Sequence, residues 1–364
     1  MKILLFNWRD ITHPSAGGAE LYLHEIGKRL AANHEVLLYC GKYKGCAEKD
    51  ELAGIRVIRR GGAFSVYLHA IFDYLRKLRK ENFDAIVDNI NGVPFFTPLF
   101  VRKKKLAVIH HIVGRRIFFK ELLPPLAFIA LISEKVIPIL YRNVNVVTVS
   151  ESSRKELVRF GIASDKINVI YNSIDQKGFA PGIKSKEPLI AYVGRVKKYK
   201  RLDHLLEAFR VVKRSIPEAR LIIAGRGDCA DLERSVKNLQ MKDWVSLMGE
   251  VSQEDKRGIL QKAWVFVTPS MKEGWGISVI EANACGTPAV AYDVAGLRDS
   301  VRNDETGLLV PEADVVKLAD TIIKVLSDSE LRQRLSQNAL KWADSFNWDT
   351  TAREFLSILE GRSK

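Results

Sequence analysis

A chain of 364 residues, 47% hydrophobic and 27% charged, is long enough for two domains with substantial cores and has an ordinary globular composition. Its formal charge of +14 points to an anionic partner: nucleic acid, anionic lipid or a phosphorylated substrate. No stretch supplies the roughly 18–20 uninterrupted apolar residues that a bilayer span needs; the nearest, 122–140, is broken by Pro124, Pro125, Glu134 and Lys135. The opening Met1-Lys-Ile-Leu-Leu-Phe-Asn7 is too short for a secretion signal and runs into Trp8-Arg9-Asp10 without a small-residue cleavage site. Cys40, Cys46, Cys229 and Cys285 show no CxxC pairing and read as reduced thiols of a cytoplasmic protein.

In chain order, Lys2–Phe6 reads as a buried strand. Ala19, Leu23, Ile26 and Leu30 mark one helical face, and residues 36–40 are the next strand. Further short apolar strands are expected at 84–88, 106–109 and 144–149, and Ser150-Glu-Ser-Ser153 caps a helix through Val158. The Gly-, Pro- and Lys-rich run 178–188 reads as a linker. After it, strands are expected at 189–193, 220–224, 245–248, 264–268 and 289–292, with helices between them. Two amphipathic helices follow Pro311, and a last one covers about 349–359. Strands alternating with helices imply an α/β protein with parallel, doubly wound sheets. Ligands in such sheets bind outside the strand C-termini.

The most specific segment is Glu273-Gly-Trp-Gly-Ile-Ser-Val-Ile-Glu281, a strand-end loop opening into a helix. One carboxylate lies in the loop and the other on the helix's second turn. Gly274 and Gly276 let backbone N–H groups, with those of Trp275, Ile277 and Ser278, approach an anion at the helix start. Glu281 can accept two hydrogen bonds from a ribose diol. The segment reads as a nucleotide-sugar cradle.

Glu-x7-Glu followed by Ala282-Asn-Ala-Cys-Gly-Thr-Pro-Ala-Val290 resembles the signature of the family-4 glycosyltransferases. Gly17-Gly18-Ala19-Glu20, Val193-Gly194-Arg195 with Lys200, Ala224-Gly225-x-Gly227 and Glu305-Thr-Gly-Leu-Leu-Val310 match in the family's order. The resemblance covers nearly the whole chain and is densest over 190–311. It implies a GT-B fold, two facing Rossmann-like doubly wound domains with an interdomain cleft. The first would be an acceptor-side domain, 1–180, joined by a crossover helix at 347–364. The second, 181–346, would bind the nucleotide sugar.

The resemblance also implies a metal-independent, retaining transferase with no cofactor. The chain has no Asp-x-Asp, so fixed cations must stabilise the leaving diphosphate, and Arg195 with Lys200 are the matching pair. Alone, residues 195–201 would read as a solvated basic loop; in register with the two glutamates they read as a phosphate clamp. Glu273 is expected to hold a sugar hydroxyl and to stabilise positive charge at the anomeric carbon. Retention arises either from a covalent intermediate or from front-side attack, and the family favours the latter. Gly17-Gly18 open a helix and face the donor diphosphate or an acceptor phosphate. His110 is the family-type histidine at a strand end, with His111 one register away. Gly249 and Val251 line the base through their backbone.

Residues 115–132 are basic, then aromatic, then aliphatic. With residues 102–105 and 76–80 they suit a peripheral contact with the anionic inner face of a membrane. The expected partners are thus a UDP- or GDP-linked hexose, a glycan or lipid-linked acceptor, and that membrane surface. Three rivals are a nucleic-acid binder, for which no helix-turn-helix, RNA-binding aromatic motif or zinc spacing appears, a GT-B phosphorylase, for which no pyridoxal phosphate lysine motif appears, and a GT-B sugar-nucleotide epimerase.

Overall fold

Fourteen strands build two separate sheets in the computed structural model, which describes residues 1–362. The chain divides into two compact units, one of residues 1–172 with 348–362 and the other of residues 173–347. Residues 173–180 therefore belong with the second unit, and the final helix, Trp348–Glu360, with the first.

The first unit holds β1 (Lys2–Phe6), β2 (Glu35–Cys40), β3 (Lys49–Leu52), β4 (Ile55–Arg59), β5 (Ala85–Ile90), β6 (Lys104–Ile109), β7 (Asn145–Thr148) and β8 (Ile167–Val169). Their order in the sheet is β3-β4-β2-β1-β5-β6-β7-β8. The central strands are near-continuous apolar runs because helices cover both faces of a parallel sheet. β3 departs from the expected parallel pattern: it pairs antiparallel with β4. The two form a hairpin whose turn residues, Ala53 and Gly54, both have positive φ, as a two-residue hairpin turn requires. Charged Lys49, Asp50 and Glu51 keep this edge strand from pairing further.

Helix Gly18–Leu30 packs against Trp348–Glu360. Tyr22 lies edge-on to Trp348 and Phe355, at 6.1 and 6.5 Å between centroids, and Arg29 Nε donates to Asp349 Oδ1 at 2.5 Å.

The second unit holds β9 (Leu189–Val193), β10 (Arg220–Ala224), β11 (Val245–Gly249), β12 (Val265–Thr268), β13 (Ala289–Tyr292) and β14 (Gly307–Val310). All pairings are parallel, in the order β11-β10-β9-β12-β13-β14. This is the doubly wound arrangement in which strand order reverses at β9/β12, and in such sheets ligands bind outside the strand C-termini at the reversal. The Glu305–Val310 motif, read from sequence only as a family match, forms the turn into β14. There Thr306 Oγ1 accepts from the Arg302 N–H at 3.0 Å.

Candidate functional site

Two loops leave neighbouring strands at the β9/β12 reversal. One carries Gly194, Arg195 and the short helical turn Lys198–Lys200. The other carries Ser270, Glu273 and the start of helix Ile277–Ala284. Because β9 and β12 are paired, with Val265 opposite Ile190, the loops are forced together. The Met271 N–H donates to the Tyr199 carbonyl at 2.9 Å.

Lys200 and Glu273 form an ion pair, and both side chains are largely buried. Ser270 Oγ donates to the same carboxylate oxygen at 2.8 Å. Burial alone would depress the Lys200 ammonium, but the Glu273 carboxylate outweighs it and holds the group above its ordinary pKa. Arg195 donates to the Tyr199 hydroxyl at 3.2 Å, and its own carbonyl accepts from the Tyr192 hydroxyl at 2.9 Å. The sequence assigned Lys200 and Glu273 to different parts of a substrate; the fold makes each the other's partner.

Two glycines set this geometry. Gly225 (φ +146°) brings its backbone so close to the Gly194 turn that a Cβ would lie 1.8 Å from the Gly194 carbonyl oxygen. Gly296 (φ +82°) presses the β13 loop against Glu273, where a Cβ would lie 2.3 Å from its carbonyl oxygen. The Glu273 N–H donates to the Ala295 carbonyl at 3.2 Å. Larger residues at either position would displace the charged loops.

Glu281 is buried on the second turn of its helix. Lys256 Nζ, from the neighbouring helix Gln253–Lys262, donates to Glu281 Oε1 at 2.6 Å and lies 5.2 Å from the Phe179 ring centroid. Lys256 has no motif spacing to announce it, since it meets Glu281 only where their two helices, separated in the chain by β12, pack together. Gly276 caps the helix, so its first N–H groups, from Ile277 and Ser278, begin at the loop.

Trp275 does not offer its ring to a ligand. It is 2% exposed and packs edge-on to Phe346 at 5.2 Å, so residues 274–276 present backbone. Gly249 ends β11 and its carbonyl accepts from the Gly225 N–H at 2.6 Å. Val251 packs against the second unit's core. Among the described residues no three His, Cys, Asp or Glu side chains gather as a metal site.

In the first unit, Gly17 caps helix Gly18–Leu30, but its N–H donates to Glu20 Oε2 at 2.7 Å. This helix-start contact, one half of a capping box because glycine has no side chain to return it, occupies a donor that the sequence assigned to phosphate. His110 and His111 lie just past β6. The His110 ring is buried, edge-on to Tyr22 at 5.2 Å, and its carbonyl accepts from Ser153 Oγ at 2.8 Å. Its Nε2 has no hydrogen-bond partner among the described residues. Burial lowers its pKa to about 4, so the ring is neutral near pH 7.

That shift has a measurable sign. An unfolded histidine binds its proton near pH 6.5 and the folded one only near 4, so acidification favours unfolding across that window. His110 is expected to withdraw about 3 kcal/mol of stability between pH 6.5 and 4, and nothing further below. Denaturant midpoints against pH check this: His110→Gln should flatten its share of the slope, and an identical slope in the variant would refute it.

A family model described as "Glycosyl transferases group 1" matches residues 173–342, and one described as "Glycosyltransferase Family 4" matches residues 16–177. An uncharacterized glycosyltransferase of Methanocaldococcus jannaschii is 31% identical over 236 residues, covering 60% of this chain and 60% of that protein. The chain thus spans three fifths of that relative's length. Sucrose-phosphate synthase from Thermosynechococcus elongatus superimposes with a TM-score of 0.85 at 24% identity, over 99% of this chain and 98% of its own. The Anabaena protein HepE, solved with UDP-glucose, gives 0.80 at 17%, over 99% and 100%. With two matches of one kind spanning residues 16–342 between them, and this fold beneath them, the chain belongs to the family-4, group 1 glycosyltransferases of the GT-B fold.

Proposed function

We propose that this protein moves a hexose from a UDP- or GDP-linked sugar to an acceptor hydroxyl, with retention at the anomeric carbon and without a metal ion. The observation that carries the reading is the cluster of Arg195, Lys200 and Glu273 at the β9/β12 reversal, beside the start of helix Ile277–Ala284. HepE's complex with UDP-glucose supports the donor class.

In this reading the bond from the anomeric carbon to the diphosphate oxygen breaks as the bond to the acceptor oxygen forms. The acceptor proton leaves with the diphosphate. Arg195 and Lys200 neutralise the charge that accumulates on the leaving group. Glu273 holds a sugar hydroxyl and faces the positive charge developing on the ring. A carboxylate already held by an ammonium and a serine hydroxyl is a weak nucleophile, which favours front-side attack over a covalent intermediate. Glu281 binds the ribose diol, and Lys256 positions it. The N–H groups of residues 274–278 and the backbone at Gly249 and Val251 complete the donor subsites. Gly18 at the helix start and a neutral His110 serve the transfer step, so His110→Ala is expected to lower turnover more than donor affinity.

The test is mass-spectrometric detection of sugar transfer from a panel of UDP and GDP donors into a membrane extract. A glycosylated acceptor is the expected product. A nucleotide sugar returned as its epimer, with no transfer, would replace this reading by the epimerase.

The acceptor is proposed to be lipid-linked and met at an anionic cytoplasmic membrane face. No helix among the described residues is long and apolar enough to cross a membrane. Phe119, Phe128, Ile129 and Ile132 are nevertheless exposed on helices Gly114–Glu121 and Pro124–Lys135, with Leu123 exposed between them, beside Arg115, Arg116 and Lys120. Lys103–Lys105 do not join them directly, because they enter β6 and residues 114–135 follow its far end. Vesicle binding is expected to rise with anionic lipid, and Leu123→Ser with Phe128→Ser should weaken it. Indifference of the wild-type protein to anionic vesicles at low salt would favour a soluble phosphorylated acceptor.

A further inference from the structure

The opposite edge of the first sheet holds a feature that the proposed transfer does not use. At the N-terminal ends of β6, β7 and β8 lies a pocket of about 390 Å³ lined by Arg102, Lys103, Lys104, Lys105, Asn143, Val144, Asn145 and Lys166. The strand register brings these together: Leu106 pairs with Asn145, and Val146 with Ile167. Lysines that enter β6 therefore stand two strands from the lysine that precedes β8. With strands about 4.8 Å apart, the three strand starts span roughly 10 Å.

Five cations line this pocket and no lining side chain is acidic. The ion pair described for these cations is Lys166 with Asp165, 4.0 Å apart, the Asp165 side chain three-quarters exposed. Lys105 turns back to donate to the carbonyls of Val101 and Lys103, both at 3.0 Å. Like charges gathered in one concavity repel one another, and their field attracts anions. Two asparagine amides add neutral donors. The volume suits a small ligand, and a lining of five cations with two amides and only Val144 apolar favours an anionic one.

We propose that this pocket binds a small, multiply phosphorylated anion, at the sheet edge opposite the strand C-termini where His110 sits. Lysine ammoniums act as point charges on separate phosphoryl groups, with Arg102 available for a forked contact. Burial holds the Lys105 pKa below its usual value, and a bound anion would raise it again. The chemistry is common to a free oligophosphate and a phosphorylated lipid headgroup.

Calorimetry with inorganic tripolyphosphate, at constant ionic strength, tests the site. Wild-type protein should bind in a saturable, one-to-one step. Changing Lys103, Lys104 and Lys166 to Gln should weaken that step by roughly tenfold or more. An equal loss of charge elsewhere, Arg234, Lys237 and Lys242 to Gln, should leave it unchanged. Arg195→Ala should also leave it unchanged, which separates this pocket from the proposed donor clamp. Equal weakening by both charge-removing triples, or no saturable binding, would overturn the proposal and reduce the cluster to a diffuse field. Loss of binding in Arg195→Ala alone would assign the anion to the second unit and overturn it too. Vesicles of phosphatidylcholine with or without phosphatidic acid then separate the sources. Competition between tripolyphosphate and phosphatidic acid vesicles that the Lys103, Lys104 and Lys166 changes abolish marks a headgroup site. Vesicle indifference with tripolyphosphate binding intact marks a soluble ligand.

Discussion

Arg195→Ala and Lys200→Ala are each expected to lower turnover by about a hundred- to a thousandfold, the scale of losing one preorganised stabiliser of transition-state charge. EDTA is expected to leave wild-type activity unchanged, because fixed cations take the role a divalent ion has in Asp-x-Asp enzymes. The Lys200 variant should also lose stability. Lys200 is the buried partner of Glu273, and removing it strands a carboxylate, at a cost of about 3 kcal/mol. The double change Lys200→Met with Glu273→Gln removes both charges at similar volume and should recover most of that stability while recovering no activity. A double variant that regains turnover would show that the pair only holds the loops in place. Abolition of activity by EDTA, restored by Mn²⁺ or Mg²⁺, would sink the metal-free mechanism.

Glu281→Ala is expected to weaken donor binding by roughly ten- to a hundredfold, the equivalent of losing charge-assisted hydrogen bonds worth about 1.5–3 kcal/mol. Lys256 refines this expectation. It occupies Oε1 of the carboxylate, so the ribose diol must use the remaining lone pairs, and the ammonium fixes where they point. Lys256→Met should therefore weaken binding by only a few-fold, since Glu281 remains but wanders. Calorimetry with UDP, GDP and their sugars reads both effects. Unchanged affinity in a folded Glu281→Ala variant would remove Glu281 from the site. Tighter binding in Lys256→Met would recast Lys256 as a competitor of the ribose.

Most strands that sequence reasoning found are buried on both faces, such as β1 and β12, where nearly every position is apolar; it also found the half-exposed edge strand β11, and it placed no strand at β4 or β14. It missed β3 because Lys49-Asp-Glu-Leu52 makes an exposed edge strand whose only requirement is a backbone partner. It missed β8 because three residues carry no periodicity. Glu273 and Glu281 were legible because their loop and helix are continuous in the chain. Lys256 was not, because its contact is made by packing between helices. Residues 102–105 and 115–116 read as one basic cluster when only chain distance is counted. Lys104 and Lys105 are the first two residues of β6 and its other four, about 13 Å of extended backbone, carry the chain to the far end that residues 115–116 follow.

The Lys200–Glu273 contact joins residues 73 positions apart in the chain, and that separation bears on the order of folding. When the chain has formed β9, β10 and β11, one edge of β9 is paired and the other is bare. It stays bare until β12 arrives, after a further loop closure whose entropy must be met before its contacts repay it. The charged cluster therefore assembles only when the two halves of the second sheet join. We expect pulse-labelled amide exchange during refolding to show β9 and β10 protected before β12 and β13. Simultaneous protection of all four strands would mean that the halves meet in a single step.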